Sequence, residues 1–214
     1  MLEKIVPCKS EEKIKEDLLK LVTLAKKELQ ATDAVIIPAS KVVVDERVKM
    51  KCAVPRCFNY GSCANCPPYT PDVETVRNTI SKYSYAIVVK RNVTPVEHFA
   101  DRTSSLTNAK VHEREFAQII AKLENAAFSA GYYLALGLAG GSCRNYLCND
   151  KVCQYLDSGR CRYIRIARPS VEAYGIDAFQ LAVEAGWDIY PIGPQHVSPK
   201  EVPLALNVGI VFIT

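Results

Sequence analysis

The chain contains no run of about 20 apolar residues, the length a helix needs to cross a bilayer, so no membrane span is expected among its 214 residues. Its opening stretch, MLEKIVPCKSEEKIKEDLLK, mixes acids and bases from the third position and lacks the apolar core of a secretory signal, which predicts a cytoplasmic protein. No lysine block is present and the net charge is only +4, so a nucleic-acid-binding face is unsupported. The glycines of GLAGG (137–141) do not have the G-x-G-x-x-G spacing that cradles a dinucleotide. No Ser/His/Asp set, phosphate loop or paired-carboxylate signal stands out. The three histidines, His98, His112 and His196, are scattered, and none is spaced to join a cysteine group. They read as surface residues, with a lid role open to His98 or His112.

Cysteine is what the chain has in excess. Nine thiols in a reducing compartment point to metal binding or redox chemistry rather than disulfides, and the odd count fits eight ligands plus a spare, Cys8. Cys52, Cys57, Cys63 and Cys66 are spaced C-x4-C-x5-C-x2-C and run straight into Pro67 and Pro68. Cys143, Cys148, Cys153 and Cys161 are spaced C-x4-C-x4-C-x7-C. Four thiolates suit either a tetrahedral Zn²⁺ or an iron–sulfur cluster. Structural zinc sites favour two tight pairs, and here only Cys63 and Cys66 form one. Ferredoxin-like sites wrap one run of chain around a cluster and often place proline directly after a ligand. Two [4Fe-4S] clusters are therefore the expected cofactors, with zinc as the alternative.

The remaining pattern is α/β, read as a single domain over 1–214 with metal-binding segments at 52–71 and 140–169. Apolar residues at steps of three and four predict helices over 10–30, 72–83, 108–130 and 177–185. In the third of these, Phe116, Ile119, Ile120, Leu123 and Phe128 are expected to face inward, and Gly131 is its stop. β-branched stretches predict strands over 34–39, 41–51, 85–90, 132–138, 187–192 and 206–214. The stretch 94–107 is polar and aperiodic and reads as a mobile loop. Strand 85–90, helix and strand 132–138 are expected to form a βαβ unit with parallel strands in a mixed sheet, and both cysteine groups to emerge as loops from strand ends.

Three blocks, CAVPRCFNYGSCANCPPYTPDVETVR, LENAAFSAGYYLALGLAGGSC and CRYIRIARPSVEAYGIDAFQLAVEAGW, lie in order across most of the chain. They resemble the signature blocks of a family of predicted metal-binding proteins, domain of unknown function 2284. The resemblance implies a metal, in the form of iron–sulfur, bound through the cysteines; it implies no particular reaction. Cys52, Cys57 and Cys66 fall where the family has cysteines, and so in general does the second group, although its tight spacings are relaxed here. Cys63 departs from the pattern. If the family's first site has three cysteines, a cluster there keeps one iron open unless Cys63 closes it.

Arg160, Arg162, Arg165 and Arg168 crowd around Cys161, and guanidinium groups near an anionic cluster can raise its potential or dock an acidic redox partner or small anionic substrate; a solvated arginine face is the plainer reading. Ser170 reads as a helix cap and Glu172 as a complement to the helix dipole. Gly140 and Gly141 either let backbone amides approach a cluster or simply turn the strand end. Tyr60, Tyr69, Tyr146 and Tyr155 are candidates for aromatic cover. These features suggest electron transfer to a partner enzyme in low-oxygen metabolism. The alternatives are an enzyme working at an open iron and a zinc-stapled binding module.

Overall fold

The computed structural model describes residues 5, 9–101, 106–192, 198 and 201–214; Cys8 and His196 lie outside them. Helix α1, Glu11–Lys27, begins where Ser10 accepts the Lys13 amide, and it carries acids in its first turn and lysines in its last. Its inner face buries Leu18, Leu21 and Ala25, and also Asp17, whose carboxylate is bonded by Lys9, Lys13 and the Tyr132 hydroxyl. Strand β1, Asp33–Pro38, follows. Next come helices α2, Glu46–Ala53, and α3, Val73–Ile80, which Asp72 caps, and then strand β2, Tyr85–Asn92. Helices α4, Glu97–Ala100, and α5, Leu106–Ser129, lead to strand β3, Leu136–Leu138. The chain closes with helices α6, Cys143–Tyr146, α7, Gln154–Ser158, and α8, Ala178–Glu184, and strand β4, Leu206–Ile213. No helix among the described residues is long and apolar enough to cross a membrane.

The strands lie in the order β1-β2-β4-β3, and every neighbouring pair is antiparallel. The expected βαβ unit is thus split. β2 and β3 do run in one direction, joined through α5, but β4 sits between them and pairs with both, so the ladders are not mixed. Ala86, Ile87, Val88 and Val89 have no exposed surface because β2 is central and covered on both faces. One face packs Ile87, Val89, Val211 and Ile213 against α1 and α5; the other packs Ala86, Val88, Ile210 and Phe212 against α3 and α8. The alternation along each strand therefore sorts its side chains into two cores in an α/β/α sandwich.

Further expectations need correction. The stretch 41–51 is not a strand. Only Val44 makes an isolated bridge, to Ile176, and Asp45 then accepts the Arg47 amide and starts α2. Residues 187–192 form no strand either: Trp187 is held by its ring, whose Nε1 donates to Asp33 at 3.0 Å. Tyr132–Ala135 turns before the strand, with the Ala135 amide on the Tyr132 carbonyl, so β3 is short. Phe128 is 56% exposed, because the buried stripe of α5 runs through Phe116, Ile120, Leu123 and Ala127 and Phe128 falls off its edge. Within the expected loop 94–107, α4 and the first turn of α5 are ordered helix, while 102–105 lie outside the described residues.

Candidate metal centre

Both cysteine groups are built from successive tight turns. The carbonyls of Cys52, Cys57, Cys63 and Cys66 accept the amides of Cys57, Tyr60, Cys66 and Tyr69. Those of Cys143, Cys148 and Cys153 accept the amides of Leu147, Lys151 and Leu156. A chain that reverses after each thiol can present its sulfurs to a common side. Cys52 sits in the last turn of α2 rather than in a loop, and Cys153 immediately precedes α7, which ends at Gly159 in the left-handed region. Thr70 anchors the first loop by donating its hydroxyl to the Ala173 carbonyl, 2.8 Å away.

The two groups meet. Cys63, Cys66 and Cys143 are buried together, and the Ser142 hydroxyl lies 3.7 Å from the Cys63 sulfur and 3.5 Å from that of Cys66. Asn65 Nδ2 donates to Cys143 Sγ at 3.6 Å, and the Tyr163 amide donates to Cys161 Sγ at 3.4 Å. Cys63 and Cys143 line one small cavity with Cys148, Cys153 and Cys161. Hydrogen bonds from Cys143 and Cys66 hold the Cys63 thiol well below its ordinary range, and the same contacts push Cys66 and Cys143 up. Burial raises Cys52 and Cys148, the latter against a hydrogen bond from Arg162.

All eight cysteines of the two groups are free thiols. As they stand, no three His, Cys, Asp or Glu side chains among the described residues are arranged around one point to hold a single ion. Through these contacts, and through the charges that reach from Cys57 to Cys52 and Cys66 and from Cys153 and Cys161 to Cys148, the thiols follow one another as a ribbon with its seam at Cys63 and Cys143. This donor set, all soft sulfur and supplied with N–H and O–H donors, fits a thiophilic group spread over several thiols.

The arginines divide. Arg168 is half-buried and paired with Glu124, whose other oxygen accepts the Gly137 amide, so it fastens β3 to α5. Arg162 is exposed but tied to the Val152 carbonyl and to Cys148. Arg160 and Arg165 are exposed beside Cys161. Among the tyrosines, Tyr69 and Tyr155 are more than half exposed and Tyr60 lies against Arg56, whereas Tyr146 is buried and its hydroxyl has no partner among the described residues. Ser170 is not the cap of a helix: it accepts the Ala173 amide from one residue before Val171, the cap position of a single 3-10 turn, Glu172–Tyr174. His98 and His112 are brought together at 2.9 Å, and Arg91 reaches the far nitrogen of His112.

Beside the thiols lies a cavity of about 440 Å³ that includes Ser142, Glu113 and Glu172. Gly141 has φ +69°, and a Cβ there would meet the Glu113 carboxyl at 2.5 Å, so this glycine makes room for an acid. Burial, reinforced by Glu172, raises the Glu113 carboxyl from its ordinary 4.5 to about 7. A carboxyl whose folded value is raised favours the folded state while protonated. Its contribution is full below about pH 4.5 and lost as pH rises through about 7, a change on the order of 3 kcal/mol. Glu113→Gln is expected to remove that slope: the difference in unfolding free energy between wild type and variant, taken from denaturant titrations, should change by about this amount between about pH 5 and pH 8.

Sequence reasoning overlooked Glu113, Ser142, Asn59, Asn145 and Asn207, which the fold gathers from separate segments around this cavity. Glu113 is one of several acids on an amphipathic helix, and only the Gly140-Gly141 pair facing it was a visible signal.

The sequence profile of a family described as "Predicted metal-binding protein (DUF2284)" matches residues 35–206. No curated protein and no solved structure matches the chain.

Proposed function

The chain belongs to the DUF2284 family of predicted metal-binding proteins, and we propose that its metal is iron, carried as two [4Fe-4S] clusters in a cytoplasmic electron-transfer protein. One group of ligands is Cys52, Cys57 and Cys66 with Cys63 at the seam; the other is Cys143, Cys148, Cys153 and Cys161. The observation that carries this reading is the ribbon of eight free thiols, continuous from one group to the other through Cys63 and Cys143. Zinc staples have no need for that contact, whereas two redox centres gain a short path between them. Bound clusters supply one-electron exchange. The protein's own part is to aim donors at the sulfurs, through Ser142, Asn65, the Tyr163 amide and Arg162, which stabilises the more negative state of whatever they hold. Exposed Arg160 and Arg165 offer cationic docking for an acidic redox partner.

A second reading, an enzyme with an open iron in the first group, is favoured by one feature. Cys63 leans on Cys143 and shares its cavity, which leaves Cys52, Cys57 and Cys66 as a three-thiol set beside the larger cavity.

Metal and sulfide analysis of anaerobically purified protein tests the assignment. About eight irons with matching acid-labile sulfide per chain, and a brown colour bleached by a reductant, are expected. Colourless protein containing zinc and no iron would replace it with the stapled-module reading.

A further inference from the structure

The cavity of about 440 Å³ beside the thiols is of ordinary size for a small-molecule site. It is walled by α5, the Gly140–Asn145 turn, Phe58 and Asn59 from the first cysteine loop, the start of α8 and the start of β4. Its polar equipment is unusual in going unpartnered. Asn59, Asn145 and Asn207 are each buried, and Asn59 Oδ1, Asn145 Oδ1 and Asn207 Nδ2 have no hydrogen-bond partner among the described residues. A buried amide edge left unsatisfied costs about 1–3 kcal/mol, and three around one cavity mark a place that something polar completes.

The carboxyls fix the sign of that missing partner. Glu113 and Glu172 both line the cavity, and neither has an ion-pair partner among the described residues. Lys110, the lining cation, is engaged with Asp150 at 2.6 Å. The rest of the wall is apolar and aromatic, with Phe58, Phe99 and Phe179 around it. Two acids without an ion pair, Glu172 met only by its own amide and the Ser170 hydroxyl and Glu113 only by the field of the engaged Lys110, join amide edges and aromatic rings to make a receptor for a positively charged group on an apolar body.

We propose that this cavity is a binding site for a small organic cation, an amine or amidine with an aromatic or apolar body, held between Glu113 and Glu172. An anionic substrate does not suit it, since these acids would repel one. The site borders both thiol groups. Ser142 lines it while touching Cys63 and Cys66, Asn59 lies two residues beyond Cys57, and the charge of Glu172 is felt at Cys52. A bound cation thus rests beside the ribbon of thiols. Its recognition depends on the carboxyls and stands independently of which metal the thiols hold.

Benzamidinium is the probe, because its planar N–H fork matches a carboxylate and its ring matches the wall. Calorimetric titration of the anaerobically purified protein at about pH 8 is expected to show benzamidinium binding at least about tenfold tighter than neutral benzamide, with benzoate undetected. Glu113→Gln and Glu172→Gln should each weaken benzamidinium about tenfold or more, and Phe179→Ala, at an exposed position on the wall, about threefold. Equal binding of the three probes, no binding of benzamidinium, or carboxyl variants that bind as wild type would each overturn the proposal. The comparison of probes on wild type needs no variant to fold. Metal content of the same samples is read separately, so a zinc-loaded protein that still selects benzamidinium removes the iron assignment and leaves the cavity's role intact.

Discussion

Cys143→Ser, prepared without oxygen, is expected to hold about four irons per chain where wild type holds about eight, with its visible absorption falling by about half. Cys143 is the second group's link to the seam: its sulfur meets Cys63, takes the Asn65 amide donor and shares a cavity with Cys148, Cys153 and Cys161. Serine keeps the shape and the turn closed by the Leu147 amide, but its oxygen is a hard donor and a poor substitute for thiolate. Iron unchanged in this variant would mean that Cys143 is not a ligand and that the two-group assignment fails. Cys63→Ala is the informative companion, because Cys63 is the thiol that meets both Cys66 and Cys143. Iron falling to about half would make Cys63 a ligand and both sites closed, as an electron carrier requires. Iron kept near eight would leave the first group with three thiols and favour the enzyme reading, with the neighbouring cavity as its substrate site.

The α/β class and both thiol groups were legible because each rests on short-range pattern: 3.6-residue periodicity for α1, α3, α5 and α8, and cysteine spacing for the thiol groups. The sheet order was not, since the position of β4 between β2 and β3 is decided by long-range packing of the C-terminal strand. Val42–Val44 looked like a strand start by β-branching alone, but Asp45 is a helix cap, and capping won locally. Cys63 meets Ser142, 79 positions away in sequence, and the adjoining Cys143, a separation that no spacing rule reaches. The cavity was hidden for the same reason. Its acids come from α5 and from the turn after Ser170: Glu113 is one of several acids on its helix, and Glu172 reads as a complement to a helix dipole.

Gly209→Ala tests the strand packing that delivers the second cysteine group, and about 3 kcal/mol of stability is expected to be lost, with melting about 10 °C lower. Gly209 lies in β4 opposite Val89, in the middle of the sheet. A Cβ there would stand 2.7 Å from the Leu138 carbonyl oxygen, 2.9 Å from Phe116 Cε1 and 3.0 Å from Ile120 Cδ1. The first of these is backbone and the other two belong to fully buried side chains of α5, so none has room to retreat. Relief requires β3 or α5 to move. β3 is only three residues long, and directly beyond it Ala139 exchanges hydrogen bonds with Pro169 and Val171 before the chain reaches Gly141, Ser142 and Cys143. Loosening β3 therefore loosens the seam, and Gly209→Ala should release metal to a chelator several-fold faster than wild type. Gly159→Ala is the control: no atom of the described residues lies within 4 Å of an added Cβ, and only the strain of φ +73°, about 1 kcal/mol, is incurred. Although Gly159 is two residues from Cys161 and Gly209 is far from every cysteine in sequence, the distant substitution is expected to do the greater damage to metal retention. The reverse order would mean that the turns around the thiols, and not the sheet behind them, hold the centre in shape.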